Sequence, residues 1–299
     1  YGPTLNINGS KISYDEETYI SDLLTEHALD WLSTTTEDKP FFMYLSHKAV
    51  HSEFAPAERH FGDYQEDEVV YPPSYDLTLN KESSVEVIAL DDSPPSGRDY
   101  YGDRLLPDWV KAQRESWHGV DYMYHGRIDF EDFFHRYTET LKGVDDSVGA
   151  VLDFLDKNQL AEDTLVIYMG DNGFSFGEHG LIDKRHFYEE SAKVPLLVRW
   201  PNRLEGGTPI NALVQNIDIA PTILDVAGLR APSNMQGMSF VPLLERATAD
   251  WRDRVFYEYY WEMDFPQTPT MFGVRTERYK YIRYHGIWDT NEFYDLSED

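Results

Sequence analysis

Two short, continuous apolar runs, at residues 40–45 and 164–169, most constrain what this chain can fold into. Unbroken apolarity over that length is typical of a strand that is buried on both faces. Each run leads at once into polar side chains, the first at residues 46–48 and the second at residues 170–173. Ligands of open α/β sheets bind beyond the carboxyl ends of the strands. We therefore expect a functional site after these two runs.

Helical and strand patterns alternate along the rest of the chain. Apolar side chains recur at three- and four-residue spacing over residues 17–33 and about 128–158, which predicts two amphipathic helices. Residues 194–200 form a third strand candidate, and residues 218–226 a short helix that Asp218 can cap. Three aromatic, β-rich segments predict a small antiparallel sheet near the end: 255–260, 270–275 and 279–284.

This order of elements predicts an α/β domain over residues 1–228 and a smaller α+β subdomain over residues 229–299. Residues 52–110 are rich in Pro, Asp, Glu and Tyr without a sustained period, so we expect an irregular excursion there. The sequence contains no apolar run of about 18 residues, and no membrane insertion is expected.

Charge and cysteine content narrow the classes of function. The chain has 54 acidic and 26 basic residues, a formal net charge of −28. Such a chain repels nucleic acid and anionic membrane surfaces, so neither is expected as a partner. An anionic substrate would need a local cluster of cations. The absence of cysteine excludes disulfides, zinc–thiolate sites and a cysteine nucleophile within this chain.

Asp171 and Asn172, which follow the second apolar run, offer a carboxylate and an amide oxygen side by side. Hard oxygen donors suit Ca²⁺ or Mg²⁺ better than zinc. An ordinary turn is the alternative interpretation of this dipeptide. His51, after the first run, can act as a general acid because imidazole titrates near neutrality. A surface histidine is the alternative there.

The glycine-punctuated loop at residues 174–186 carries two histidines and two cations: His179, His186, Lys184 and Arg185. Clustered cations in an acidic chain are what an anionic substrate requires. The alternative is an exposed loop in which Lys184 pairs with a neighbouring acid.

Several motifs in this order resemble the type I sulfatases of the alkaline phosphatase superfamily. They are Ser46-His47-Lys48-Ala49-Val50-His51, Gly170-Asp171-Asn172-Gly173, Gly177-Glu178-His179-Gly180, Asp183-Lys184-Arg185 and Arg275-Thr276-Glu277-Arg278-Tyr279-Lys280-Tyr281. The amino-acid sequences of these motifs are most similar to those of glycan sulfatases of the N-acetylglucosamine-6-sulfatase type. The resemblance implies an alkaline-phosphatase-like mixed sheet flanked by helices, with a smaller C-terminal α+β subdomain that contains an antiparallel sheet.

The same resemblance implies a role for each matching residue. Asp171 and Asn172 would be ligands of one Ca²⁺, with Mg²⁺ as the alternative ion. Lys184 would hold a sulfate oxygen, and His51 would contact the sulfate and protonate the leaving alcohol. The expected substrate-binding residues are His179, His186, Lys48 and Arg185. The expected substrate is a sulfated glycan, and the expected location is secreted, periplasmic or lysosomal.

In this family the nucleophile is a formylglycine made from a cysteine or serine in a Cys/Ser-x-Pro/Ala-x-Arg motif, which this sequence lacks. We therefore expect the missing N-terminal portion of the same protein to supply it, and the fragment alone to be inactive. Two alternatives stay open: a phosphatase or phosphodiesterase of the same superfamily, and a non-catalytic relative that binds sulfated glycans.

Overall fold

The structure is a computed structural model, and it describes residues 1–35, 39–75, 107–120, 130–246, 250–286 and 289–298. In chain order the strands and helices are β1 (Thr4–Ile7), β2 (Ser10–Ser13), α1 (Ile20–Ser33), α2 (Asp108–Arg114), α3 (Phe130–Lys157), β3 (Val166–Met169), α4 (Glu189–Ala192), β4 (Leu196–Arg199), α5 (Ile219–Val226), α6 (Val241–Leu244), β5 (Arg254–Tyr259), β6 (Met271–Thr276), β7 (Tyr279–Tyr284) and β8 (Glu292–Asp295).

The described residues form two compact units, one of residues 1–70 and 130–165 and the other of residues 71–120 and 166–298. In the first unit, α1 packs along α3, and Thr25 donates a hydrogen bond of 2.5 Å to Ser147 between them. Both helices confirm the predictions made from apolar periodicity. A hairpin of β1 and β2 precedes them, and its Asn8-Gly9 turn has both residues in the left-handed region.

Residues 40–45 differ from the prediction of a strand buried on both faces. They are extended but pair with no strand among the described residues. Alternate side chains are exposed, Phe42 by 64% and Tyr44 by 82%, whereas Phe41 lies edge-on against Trp31 of α1. One face of the segment therefore packs on a helix, and without a neighbouring strand its backbone forms no ladder.

In the second unit, β3 and β4 confirm the other two predicted strands. They pair antiparallel, with Val166 opposite Arg199 and Met169 opposite Leu196. Their side chains are mostly half-buried rather than fully buried, because these two strands have no other partner among the described residues. The strand β3 ends directly before the Gly170–Gly173 turn that carries the candidate metal ligands.

The four strands β5, β6, β7 and β8 form an antiparallel sheet in that order. Three of them confirm the predicted segments, and β8 was not predicted. One face of the sheet builds the core of this unit together with α2 and the loop before α4. The buried members of this core are Trp109, Val110, Leu181, Phe187, Tyr188, Met271, Ile282 and Tyr284.

The helix α2 lies where the sequence indicated only the irregular excursion, of which residues 76–106 fall outside the described part. Asp289, in the segment before β8, accepts hydrogen bonds from the backbone N–H groups of Asp108 and Trp109, at 2.8 and 3.0 Å. A carboxylate at this end satisfies otherwise unpaired N–H groups and complements the helix dipole. Among the described residues, no helix is long and apolar enough to span a membrane.

The close approach of Phe187 to Gly273 gives a stability prediction. A Cβ atom at position 273 would lie 2.1 Å from the Phe187 ring. We expect Gly273→Ala to lower the free energy of unfolding by about 1–3 kcal/mol, because this contact is overpacked. Gly149→Ala, at an exposed helical position with no atom within 4 Å, should raise it by up to about 1 kcal/mol. Equal effects of the two substitutions in urea unfolding would contradict this packing.

Candidate active site

A narrow loop follows β3 and carries most of the predicted site. Its two arms are joined where the Ser175 N–H donates to Asp183 O at 2.9 Å and the Gly177 N–H donates to Leu181 O at 2.8 Å. At its tip, Gly177, His179 and Gly180 all have positive φ, of 95°, 55° and 75°. The two glycines adopt such angles readily, whereas the histidine is strained there. The turn therefore fixes where the His179 side chain leaves the backbone.

Gly180 also leaves no room for a side chain. A Cβ atom at this position would lie 2.6 Å from Nε of Arg114, a residue of α2. The second arm of the loop continues along residues 118–120, where the Ile182 N–H donates to His118 O at 2.7 Å and the Val120 N–H donates to Gly180 O at 3.0 Å. The loop is thus held by backbone pairing on one side and by α2 on the other.

Asp171 and Asn172 are exposed at the end of β3. The Asn172 amide nitrogen donates to Gly173 O at 2.7 Å, and its amide oxygen has no donor among the described residues. One carboxylate oxygen of Asp171 accepts from the Asn172 N–H at 2.8 Å, and the other accepts no hydrogen bond from the part of the chain that the structure describes. These accessible hard oxygens fit Ca²⁺ or Mg²⁺. No group of three or more acidic or histidine ligands occurs among the described residues.

Ser191 links this turn to Lys184. The Gly173 N–H donates to Ser191 O at 2.9 Å, and the Ser191 hydroxyl donates to the carbonyl oxygen of Lys184. One residue of α4 therefore holds the backbone of both predicted features. The structure brings the candidate metal ligands and the candidate sulfate-holding lysine into one local assembly.

Asp183 holds the Lys184 backbone and the Arg185 side chain. Its carboxylate is 1% exposed and accepts from the Lys184 N–H at 2.7 Å and from Arg185 Nη1 at 2.6 Å. Gln113 of α2 donates to its second oxygen at 2.8 Å. A buried carboxylate needs this number of donors to offset desolvation. Asp183 therefore sets the backbone direction at Lys184 and the position of the Arg185 guanidinium.

Arg185 has a second contact that limits its movement. Its guanidinium carbon lies 3.3 Å from the centre of the Phe265 ring, a cation–π arrangement. The side chain is 19% exposed, so part of it stays accessible to solvent. Lys184 is half-buried. The loop thus carries one cation with a held side chain, Arg185, and one with a held backbone, Lys184, in a chain with a net charge of −28.

The loop is anchored to the C-terminal sheet just after these cations. Glu189 accepts two hydrogen bonds of 3.1 Å from Arg275 of β6. It also forms an ion pair with Lys280 of β7. Burial alone would raise the pKa of Glu189, but Arg275 and Lys280 hold it below its usual value. Lys280 also donates to Phe187 O at 2.6 Å, and Phe187 stacks on Tyr257 with ring centres 4.5 Å apart.

His179 and His186 both contact Tyr188. The His179 ring stacks on the Tyr188 ring at 3.9 Å between centres, and the His186 ring lies 5.0 Å away. His186 is fully buried, where a bound sugar cannot reach it without movement of the loop. Burial lowers the pKa of His179 to about 4 and that of His186 to about 3. Both imidazoles are therefore neutral at physiological pH.

Beneath this pair, Tyr188 donates to Glu292 of β8 at 2.7 Å. Tyr294 donates to the other oxygen of Glu292 at 3.1 Å. Burial raises the pKa of Glu292 to about 7, although these hydrogen bonds favour the charged form. The sequence motifs did not indicate Glu292, Tyr188 or Gln113 as site residues. An acidic residue inside a short aromatic strand was the only available signal for Glu292.

His51 and Lys48 lie in the other unit, and both are exposed. The His51 N–H closes a turn onto Lys48 O at 2.9 Å, and His51 Nδ1 lies 2.8 Å from the Ser52 carbonyl oxygen. Because a carbonyl only accepts, Nδ1 carries the proton, and Nε2 is the atom left for another partner. His47 bonds Ser147 of α3 at 2.8 Å and thereby holds this segment to the helix.

The fold agrees with that of solved hydrolases. A structure described as a complex with its substrate, D-glucosamine-2-N,6-O-disulfate, matches all of this chain and 67% of its own, with a TM-score of 0.81 and 26% identity. The chain therefore has the alkaline-phosphatase-like fold that its motifs implied.

Sequence comparison gives the family. The profile described as Sulfatase matches residues 3–229, and the one described as N-sulphoglucosamine sulphohydrolase, C-terminal, matches residues 177–299. The chain is 29% identical to an N-acetylglucosamine-6-O-sulfatase of Bacteroides thetaiotaomicron, over 95% of this chain and 57% of that relative. It is 34% identical to the N-acetylglucosamine-6-sulfatase of Bos taurus, over 87% of this chain and 42% of that relative.

The chain belongs to the sulfatase family, as its motifs predicted. The relatives that it matches in this family are sulfuric ester hydrolases. The chain spans about half the length of these relatives.

The contacts of Asp183 give a prediction on stability. We expect Asp183→Asn to lower the free energy of unfolding by about 2–4 kcal/mol, because it leaves Arg185 without its buried partner. Asp132→Asn is the matched control, since its pair with Arg136 is exposed, and it should cost less than about 1 kcal/mol. Denaturant unfolding of both variants measures the difference. Similar losses in both would show that Asp183 does not anchor the loop.

A second prediction concerns pH. The Glu292 carboxyl has an ordinary pKa of 4.5 and a folded-state pKa of about 7, so the stability it contributes in its protonated form is lost as pH rises between these values. We expect Glu292→Gln, which cannot ionise, to gain stability relative to the parent by up to roughly 3 kcal/mol between about pH 5 and about pH 8. Thermal unfolding at both pH values tests this. Exposed Glu258→Gln should show no such trend, and an equal trend in both variants would contradict the assignment.

Proposed function

We propose that the protein containing this chain hydrolyses a sulfate ester on a sulfated, glucosamine-type carbohydrate and releases inorganic sulfate. The observation that carries the proposal is the local assembly in which Ser191 joins the Asp171-Asn172 turn to Lys184. An accessible pair of hard oxygen ligands on a turn that is joined to the backbone of a lysine is an arrangement suited to a sulfuryl group. The named relatives and the solved substrate complex point to glucosamine as the sugar.

The roles follow from the chemistry of each group. Asp171 and Asn172 would hold a Ca²⁺ or Mg²⁺ ion, which when bound stabilises negative charge on the sulfuryl oxygens. Lys184 neutralises a further sulfuryl oxygen. As the bond from sulfur to the sugar oxygen breaks, His51 in its imidazolium form gives the proton on Nε2 to that oxygen and keeps the Nδ1 proton on the Ser52 carbonyl oxygen. The formylglycine nucleophile would come from the missing N-terminal portion of the same protein.

We propose that three of the four residues predicted to bind the substrate contact it directly, and that the fourth, His186, acts indirectly. Arg185 and Lys48 are cations that pair with sulfate groups. His179 is a neutral hydrogen-bonding group. His186, which is buried, would act by supporting Tyr188 rather than by touching the sugar.

The proposal extends to organisation and location. We propose that β3 and β4 belong to a mixed sheet flanked by helices in the whole domain, that the domain boundary lies near residue 228, and that the protein is secreted, periplasmic or lysosomal. A phosphatase of the same superfamily is the main alternative. The amide oxygen of Asn172 argues against it, because an amide is a poor ligand for the zinc ions that such enzymes often use.

Turnover by the full-length protein tests this function. We expect hydrolysis of glucosamine 6-sulfate and of an aryl sulfate to exceed hydrolysis of the matching aryl phosphate. Lys184→Ala and His51→Ala should each lower kcat by about 10²–10⁴-fold, because each group acts on charge that develops in the transition state. Asp171→Ala should abolish both activity and its dependence on added Ca²⁺.

Two exposed residues serve as controls. Lys193→Ala and His27→Ala remove a lysine and a histidine that the proposal does not use, and both should keep the parent rate. Faster phosphate than sulfate cleavage would overturn the reaction class. Binding of sulfated glycan without any turnover by the full-length protein would instead support the non-catalytic alternative.

A further inference from the structure

The backbone at His179 is held in a conformation that a histidine does not favour. Its φ is 55°, a left-handed angle that costs a residue with a Cβ atom roughly 1 kcal/mol or more. Two hydrogen bonds maintain the conformation: the His179 N–H donates to the Ser74 hydroxyl of another segment at 3.0 Å, and within the turn the Gly180 N–H donates to Gly177 O at 2.8 Å. A glycine would fit this position without strain, so the side chain itself has a use.

The strained turn places the imidazole of His179 flat on Tyr188, with the rings 3.9 Å apart and inclined by 22°. The ring nitrogens of His179 make no hydrogen bond with any of the residues that the structure describes, in contrast to His186 Nε2, which lies 3.2 Å from the Ser175 hydroxyl. The imidazole is therefore fixed through its face and free at its edge. A free edge leaves both a donor and an acceptor for a ligand.

Tyr188 is itself buried and held by contacts with other residues. It is 3% exposed, lies beside Trp109 at 6.3 Å between ring centres, and donates its hydroxyl proton to Glu292. Glu292 is 7% exposed and accepts a second hydrogen bond from the Tyr294 hydroxyl. A buried carboxylate that joins two tyrosines costs desolvation free energy and adds no apolar packing. Its consequence is a single orientation for the Tyr188 ring, and through it for His179.

The charge state of His179 decides which ligand group it can recognise. Because burial keeps its pKa far below neutrality, the ring binds by hydrogen bonds and not by pairing with an anion. In the proposed function, the cations Lys184 and Arg185 pair with the sulfate groups. A neutral imidazole suits an uncharged sugar group, which both gives and accepts a hydrogen bond, as a hydroxyl does.

We propose that Tyr188 and Glu292 are positioning residues that hold the His179 imidazole in register to bind an uncharged hydroxyl of the sugar, and so contribute to the choice of glycan. This proposal rests on the proposed sulfatase function. The contact lies on the sugar and not on the sulfuryl group, so it is made equally in the bound substrate and in the transition state. Interactions of that kind change KM and leave kcat nearly unaltered.

The test uses the full-length protein with glucosamine 6-sulfate and an aryl sulfate as substrates. We expect Tyr188→Phe and Glu292→Leu to raise KM for the sugar by about 10-fold, as for one lost hydrogen bond. The ratio of kcat/KM for the sugar to that for the aryl sulfate should fall by a similar factor. Glu292→Gln keeps an acceptor oxygen for Tyr188 and should restore the ratio to within about threefold of the parent.

A double-mutant cycle separates positioning from a general structural effect. His179→Ala should lower the same ratio by about 10-fold, and adding Tyr188→Phe to it should cause no further loss, because the two act through one contact. Tyr281→Phe, which removes a hydroxyl from the opposite, exposed face of the sheet, should keep the parent ratio. Additive effects, or equal losses on both substrates, would overturn the proposal.

An NMR measurement, which does not depend on enzyme activity, distinguishes this proposal from the proposed function. Carbon–proton NMR signals of the His179 ring should move in Tyr188→Phe and Glu292→Leu, and should stay unchanged in Tyr281→Phe, because the ring current of Tyr188 acts on the stacked imidazole. Unchanged His179 signals would refute the positioning role even in an active enzyme. Shifted signals in a protein that cleaves no sulfate ester would refute the proposed function alone.

Discussion

The burial of Lys280 beside Glu189 is the interaction on which the second unit depends. A lysine that is 1% exposed is tolerated only when a carboxylate and further acceptors offset its desolvation. Glu189 and the Phe187 carbonyl supply this compensation, and both belong to the segment that follows Lys184. The charge that must be compensated inside the sheet therefore determines where the loop is attached.

From this attachment the rest of the site follows by short steps. Phe187 packs against Gly273, and Tyr188 donates a hydrogen bond to Glu292. Asp183 accepts hydrogen bonds from Lys184 N–H and Arg185. The buried Asp183 carboxylate thus orients the Arg185 side chain and the backbone of Lys184, two neighbouring cations in an acidic chain. The histidines of the same loop are neutral. The cations can therefore pair with anionic groups, whereas the histidines can form only uncharged hydrogen bonds.

Much of the fold follows from periodicity. Helices α1 and α3 bury one face each, so the spacing of their apolar residues predicted them closely. Residues 40–45 show the limit of this reasoning, because an apolar run indicates an extended chain but not whether a partner strand exists. The helix α2 is short, and its N-terminus is completed by Asp289, 181 residues further along. The sequence pattern around α2 cannot predict a cap from so distant a residue.

By itself the sequence determined the chemical inventory: the hard oxygen donors at residues 171 and 172, the cations at 184 and 185, and the glycines that shape the loop between them. These features are local, since ligand type, charge and backbone freedom belong to single residues and short turns. Only the tertiary structure decided that His186 is buried, that His179 stacks on Tyr188, and that Glu292, 104 residues from Tyr188, fixes that ring. Burial and orientation depend on contacts between distant segments, and no pattern within one segment encodes them.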